Sequence, residues 1–182
     1  MASNVMFLND GKAKIADLLN TQIIWRNFAG IVKPGHKYDR EGEPYFNISL
    51  SPAEYDTMIN AGWDAREWTK KDADPQETPR YYIKVTIDVD GFSKSKIWHV
   101  SDPDADGRRH KNLITYDDGT MGDLDNTVFD TVDLTLRPWT NANGLKKAYL
   151  ETMYYVIAKD EWGDKWGDVM DGDFSDESVP FN

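Results

Sequence analysis

The sequence predicts a small, mainly β domain built as an antiparallel barrel with one short helix. Three observations carry that expectation. Tyr81 to Val89 alternates strictly, with Tyr81, Ile83, Val85, Ile87 and Val89 on one face and Tyr82, Lys84, Thr86 and Asp88 on the other. Ser51-Pro-Ala-Glu54 is a capping box with proline at the first helical position, so one helix starts there. Four or five further β-patterned segments are separated by long polar loops and no internal repeat, which suits a small barrel.

Along the chain, residues 1–20 are weakly patterned. Lys12 to Leu19 is expected as a short helix with Ile15, Leu18 and Leu19 on one side. A β pattern begins at Gln22 and runs to Gly30, and Lys33 to Gly42 reads as a basic, turn-rich connection. Tyr45 to Leu50 alternates with Phe46, Ile48 and Leu50 inward. The helix after Ser51 is expected to bury Ala53, Met58 and Ile59, to stop at Gly62 and to be followed by Trp63. Lys70 to Pro79 is a polar loop with two prolines. Ser95 to Val100 places Lys96 and Trp98 opposite Ile97, and Ser101 to Asp123 reads as one long polar loop. The last strands are Thr131 to Pro138 and Lys146 to Ala158, joined through the hairpin-type loop Thr140 to Gly144.

Composition narrows the chemistry. The 182 residues suffice for one domain with a real core. There is no cysteine, which removes disulfides, thiolate metal sites and cysteine nucleophiles. The three histidines, His36, His99 and His110, are far apart in sequence. Apolar runs are too short to span a membrane, and the first residues lack the basic start of a signal peptide; a soluble, intracellular protein is expected. No glycine-rich phosphate loop or nucleophile elbow is present, so neither catalytic residues nor cofactors are expected. Asp102-Pro-Asp-Ala-Asp-Gly107 opens like a calcium loop, but Leu113 stands where the bidentate glutamate belongs and Arg108, Arg109 and Lys111 would repel a cation. No metal site is expected there.

The informative surplus is aromatic: seven Trp, nine Tyr and seven Phe in a chain of net charge −11. Some of these rings should face solvent as a stacking platform for bases or sugars. Basic and aromatic residues interleave along the expected strands: Trp25-Arg26, Lys37-Tyr38, Tyr82-x-Lys84, Lys96-x-Trp98, Arg137-x-Trp139 and Lys147-x-Tyr149. An i, i+2 spacing puts ring and cation on one sheet face. Any single pair can be a basic stem covering a core ring; six pairs point to a binding face. Bulk charge does not help, because without residues 168–182 the chain still has 27 acidic and 21 basic residues. Local clusters must bind any phosphate. Residues 168–182 carry five acidic residues, no basic one and a Val-Pro-Phe ending.

These residues resemble a family, the single-stranded DNA-binding proteins of tailed bacteriophages. The likeness runs from Trp25 to Trp166 through Arg26-Asn-Phe-Ala-Gly30, the helix ending Ala61-Gly-Trp63, Tyr82-Ile-Lys-Val85, Lys96-Ile97, Val132-Asp-Leu134 and Lys147 to Tyr154. Met170 to Phe181 is similar to the acidic Pro-Phe ending of bacterial single-strand binding proteins, although Asn182 follows the last ring and no long linker precedes it. The resemblance implies a five-stranded antiparallel OB-fold barrel with a disordered acidic tail, coating single-stranded DNA in replication, recombination or repair inside the infected bacterial host. It divides the chain into an N-terminal extension (1–21), the DNA-binding domain (22–160) and the tail (161–182).

On this reading the phosphate contacts are Arg26, Lys37, Lys84, Lys96, Arg108, Arg109, Arg137 and Lys147, and the stacking rings Tyr38, Tyr45, Tyr82, Trp98, Trp139 and Tyr149. In the tail, Asp171, Asp173, Phe174, Asp176, Glu177, Pro180 and Phe181 are expected to compete with DNA and to recruit replication or recombination proteins. Two other readings use the same features. One is a carbohydrate-binding β-sandwich with an aromatic platform, the other a non-enzymatic phage structural protein.

Overall fold

The computed structural model describes residues 5–10 and 13–159. The fold is mainly β with one short α-helix: ten strands and one six-residue 3-10 helix complete the described elements. In chain order these are β1 (Val5–Asp10), β2 (Ala13–Leu18), β3 (Gln22–Asn27), β4 (Tyr45–Leu50), α1 (Pro52–Asn60), β5 (Ala65–Trp68), β6 (Arg80–Thr86), β7 (Lys96–Val100), β8 (Lys111–Ile114), the 3-10 helix Thr120–Asp125, β9 (Phe129–Thr140) and β10 (Lys146–Ile157). The strand count exceeds the five expected. Two of the extra strands, β5 and β8, are four residues long, too short to show a period.

All ten strands belong to one sheet whose main path is β1-β2-β9-β10-β6-β4-β3, with β5 on β6 and β7-β8 on β10. The expectation of a purely antiparallel arrangement needs correction, because β10 runs parallel to both β6 and β7. Strand polarity depends on pairing between segments 60 residues apart, which local patterning does not encode. β2 and β3 are separated only by Leu19–Thr21, and Thr21 N–H donates to Val132 O of β9 at 2.8 Å. One stretch of chain therefore reaches β9 through β2 and β4 through β3.

The segment expected as a helix from Lys12 to Leu19 is strand β2. Ala16 and Leu18 are buried with Asp17 between them, a period of two, and Asp17 accepts from Thr135 Oγ1 of β9 at 2.7 Å. Leu19, which the helical reading placed inside, is exposed. This strand lies within the stretch read as an extension and contributes both buried residues to the core.

The helix forms as its caps dictate. Ser51 accepts from Glu54 N–H and Glu54 accepts from Ser51 N–H, with Pro52 in the first turn. At the other end Gly62 has φ +84°, Gly62 N–H donates to Ile59 O and Trp63 N–H to Met58 O. That pair of bonds is a Schellman motif, with its apolar contact made by the fully buried Met58 and Trp63. Ala53 and Ile59 face outward instead, and Tyr55 joins Met58 against the core by stacking on Tyr81. A nine-residue helix has room for only a narrow buried stripe.

The core follows the strand alternation. Phe46, Ile48 and Leu50 of β4, Ile83 and Val85 of β6, Ile97 of β7 and Val132, Leu134 and Leu136 of β9 are all buried. The opposite faces of β4, β6, β7 and β10 are left to carry other chemistry.

Candidate nucleic-acid interface

β4 presents small side chains on its outer face, Asn47 beside Lys84 and Ser49 beside Tyr82 of β6. Larger residues from the flanking strands can therefore meet across it. Trp25 of β3 and Tyr82 of β6 do so, edge to face, with ring centroids 5.0 Å apart, and Trp68 of β5 closes on Trp25 at 5.9 Å. Trp25 is aimed there by a break in the β3–β4 register between Ile24 and Asn27. Its φ of +44° is costly for a bulky L-residue, about 1–3 kcal/mol. Asn47 Nδ2 donates to Trp25 O at 3.1 Å and holds the bulge. Strain tolerated in order to expose a tryptophan, 43% accessible, marks a functional position better than any single ring–cation spacing does.

Trp25 and Tyr82 line a groove of about 590 Å³ with Tyr38, Tyr45, Arg66, Lys84 and Lys147. Its cations sit on or beside the rings. Lys84 Nζ lies 4.2 Å from the centre of the Tyr45 ring, a cation–π contact. Burial lowers the Lys84 pKa, and Lys147 adds repulsion that Glu43 and Asp39 partly offset. An anion entering the groove would relieve both costs.

Between the other two cations stands Asp64, which accepts from Lys147 Nζ at 2.8 Å and from Arg66 Nη2 at 3.0 Å. Burial alone would raise its pKa, but the hydrogen bonds from Arg66 and Lys147 and their charges bring it below the ordinary carboxylate value. Asp64 is thus an internal competitor for the phosphates these cations could hold. Asp64→Asn is expected to tighten binding of a single strand about two- to fivefold, the range of one partly exposed ion pair. A fluorescence titration at low salt checks this.

The 28–44 segment brings Tyr38 to the groove and is fixed by Asp39. This buried carboxylate accepts from Lys33 N–H at 3.1 Å and from the Tyr45 hydroxyl at 2.5 Å, with His36 Nδ1 3.9 Å away. Burial works to raise its pKa, yet the bonds from Tyr45 and Lys33 and the nearby His36 and Lys33 charges leave it lowered overall. Burial and the same bond to Asp39 raise the Tyr45 pKa, so the phenol stays neutral. A carboxylate whose folded pKa lies below its unfolded value, about 3.9, contributes stability above that pH and loses it as pH falls through the folded value. Asp39→Asn should therefore flatten the stability–pH curve below about pH 4, read as thermal midpoints across an acid series.

Of the residues singled out from sequence, Tyr38, Tyr45, Tyr82, Lys84 and Lys147 meet in this groove. Lys37 lies over the Tyr38 ring at 5.1 Å, and Trp139 of β9 stands opposite Lys147 of β10 in register. Tyr149 is paired with Arg137, whose guanidinium is held by Asp88 at 3.5 Å, Glu151 at 3.2 Å and Ser93 O at 3.3 Å. Trp98 sits on β7 under Lys111, and Lys96 is exposed at the start of that strand. Arg108 and Arg109 occupy the β7–β8 hairpin loop, where Asp104 accepts from Arg108 N–H and contacts His110 Nε2. Arg26 turns the other way. Its guanidinium donates to Leu124 O at 3.0 Å and to Thr127 O and lies over Phe129, clamping the 3-10 helix. The tail residues Asp171, Asp173, Phe174, Asp176, Glu177, Pro180 and Phe181 lie outside the described residues.

The family described as "Putative phage ssDNA-binding domain" matches residues 12–179, almost the whole length. The chain belongs to this family. Two solved structures are also similar to this phage ssDNA-binding domain. The single-stranded DNA-binding protein of bacteriophage Enc34 in complex with ssDNA is 9% identical, with a TM-score of 0.49 over 88% of this chain and 94% of that one. Its C-terminal truncation is 10% identical, with a TM-score of 0.42 over 88% and 98%. No curated protein matches the chain at a significant level.

Sequence reasoning left Arg66, Trp68, Asp64 and Asn47 of this ssDNA-binding domain out of the site. Arg66-x-Trp68 has the same i, i+2 signature as the six pairs read elsewhere. Four residues between a helix stop and a loop do not read as a strand, so the pair carries no local signal of a shared face. In the sequence Trp25 stands out only as part of a basic-aromatic run, since the bulge that exposes it leaves no local trace.

Proposed function

We propose that the chain is a non-enzymatic OB-fold protein that coats single-stranded DNA without sequence preference. Its setting is phage DNA replication, recombination or repair, in the cytoplasm of the infected bacterial cell. The observation that carries this reading is the groove, where Trp25, Tyr82, Tyr45 and Tyr38 are interleaved with Lys84, Lys147 and Arg66. Rings stack on any base and ammonium or guanidinium groups hold any phosphate, so neither reads sequence. The one side-chain amide at its floor, Asn47, is committed to the Trp25 carbonyl. Membership of the phage ssDNA-binding family supports the same ligand.

The OB reading of the fold rests on strand order. If β2 and β3 count as one bent strand, the pairs β3–β4, β4–β6, β6–β10, β10–β9 and β9–β2 run around a ring of five. That ring supports reading the sheet as the partly open five-stranded barrel of an OB-fold. In this reading residues 22–160 hold the DNA-binding domain, residues 1–21 are an extension whose β2 shares the barrel, and residues 161–182 form the tail. The acidic Asp171 to Phe181 segment lowers DNA affinity by competing for the groove and recruits replication or recombination proteins, carboxylates replacing phosphates on the same cations.

The test is a binding competition with the full chain against oligo-dT, oligo-dA and duplex DNA. The proposal expects the two single strands to bind within about tenfold of each other and the duplex far more weakly, because paired bases cannot stack on the rings. Equal binding of duplex and single strand, or none of either, overturns it. A chain lacking residues 168–182 should bind oligo-dT more tightly; unchanged or weaker binding removes the tail's part.

A further inference from the structure

The outer face of β10 does not end at the groove. Lys147 and Tyr154 share that face seven residues apart, across a bulge at Glu151, a span of about 20 Å at a strand's rise. At the far end Tyr154 is the register partner of Trp98 on the parallel strand β7. Lys111 of β8 lies over both rings, its Nζ 4.4 Å from Trp98 and 5.7 Å from Tyr154. The ammonium-on-ring contact is that of Lys84 on Tyr45, here with two rings in place of one.

Core formation does not require the cluster. Ile97 and Met153 on the opposite faces of the same strands are fully buried, whereas Tyr154 and the neighbouring Leu113 remain 40% and 48% accessible with Lys111 in place. A lysine stem that served only to cover rings would leave less apolar surface open.

Between groove and cluster rises the loop from β6 to β7. Asp88 N–H donates to Ser95 Oγ, Ser95 N–H to Asp88 O, and Ser95 Oγ to Leu150 O of β10. Gly91 N–H donates to Asp88 Oδ1 at 2.7 Å, and a Cβ at Gly91 would come within 2.3 Å of that carboxylate, which would have to shift. Arg137 ties Asp88 and Ser93 down from β9. On this braced loop Phe92 is wholly exposed, 113% of its reference surface. A large ring carried at full exposure on a rigid turn has no partner in the fold.

Of the acids along the way, Asp90 is exposed beside Phe92 and the others are engaged by neighbours. Asp88 and Glu151 are both paired with Arg137, and Asp133, opposite Tyr154 in register, accepts from Asn20 N–H at 2.8 Å.

We infer that the single strand leaving the groove continues over Phe92 to a second station formed by Trp98, Tyr154 and Lys111, where bases stack on the two rings and Lys111 moves from ring to phosphate. This deepens the proposed function and rests on it. A span of 20 Å equals about six nucleotides at the rise of a stacked strand, so the site extends by roughly that number beyond the groove.

Anisotropy titrations of the full chain with labelled oligo-dT of about 6 and about 16 nucleotides, lengths within the range of one OB-fold, read the extension. The wild-type chain is expected to bind the longer oligonucleotide at least about tenfold more tightly than the shorter. In Trp98→Ala/Tyr154→Ala, and separately in Phe92→Ser on the exposed loop, short-oligonucleotide affinity should stay within about twofold while the gain on the longer one is lost, as removal of one or two stacked bases requires. Full retention of that gain in both variants overturns the second station and leaves the coating function standing. Failure of the wild-type chain to bind either length overturns the proposed function and this extension together.

Discussion

Replacing Trp25 and Tyr82 together by alanine is expected to weaken binding of oligo-dT by about a hundredfold. Each base–ring stack contributes roughly 1–3 kcal/mol by truncation, and about 2.7 kcal/mol is a hundredfold in affinity. The rings touch at 5.0 Å, so their losses are coupled. Each single substitution should therefore cost more than half of the double effect on a logarithmic scale, because loss of one ring frees the other from its edge-to-face contact. Both rings lie outside the core, so Tyr82→Ala should lower the urea midpoint only slightly, by about 0.5–1.5 kcal/mol for the loss of one aromatic pair. A double variant that keeps wild-type affinity would show that the groove is not where bases stack.

Trp63→Ala should produce the largest change in stability, a loss of about 3–5 kcal/mol, as for other aromatic deletions from cores. Trp63 is fully buried beneath α1 and anchors the junction that carries Asp64. Around it Lys146 N–H donates to Gly62 O, Asp64 N–H to Lys146 O and Lys146 Nζ to Ala61 O. This junction places Asp64 against Lys147, so a collapse here reaches the groove as well as the core. Trp63 Nε1 is buried with no hydrogen-bond partner among the described residues. Phenylalanine removes that orphaned donor and keeps a ring, so Trp63→Phe should cost less than half as much as alanine. Urea unfolding of the two variants gives the comparison; a Trp63→Ala midpoint equal to that of the wild-type chain contradicts the packing described.

What could be read from the sequence were the features whose cause is local. The capping box of Ser51 and Glu54, the stop at Gly62 and the alternation of Tyr45–Leu50 depend on neighbours within six residues, and all three are found as read. The identity of β2 depends on β9, more than 110 residues away, and Lys12 to Leu19 contains too few apolar residues to separate a period of two from one of 3.6. The parallel pairing of β10 with β6 and β7 is likewise a matter of distant contacts.

The site shows the same division. Tyr82, Lys84 and Lys147 could be read because i, i+2 spacing on a strand fixes a shared face. The fate of Arg26 could not, because the carbonyls that hold it, Leu124 and Thr127, lie about 100 residues further on. Trp25 shows the opposite case, a ring whose exposure is created by a single irregular backbone position.

The central claim is that cations of the groove hold phosphates while its rings hold bases. Tryptophan-fluorescence titration with oligo-dT across a salt series, for the wild-type chain and for Lys84→Ala/Lys147→Ala, tests it most directly. The account predicts quenching by the single strand, with log affinity falling linearly against log salt and the slope shallower by about 1.4 in the double variant, about 0.7 for each phosphate released. A salt slope unchanged by removing both lysines, or quenching insensitive to salt, would contradict it.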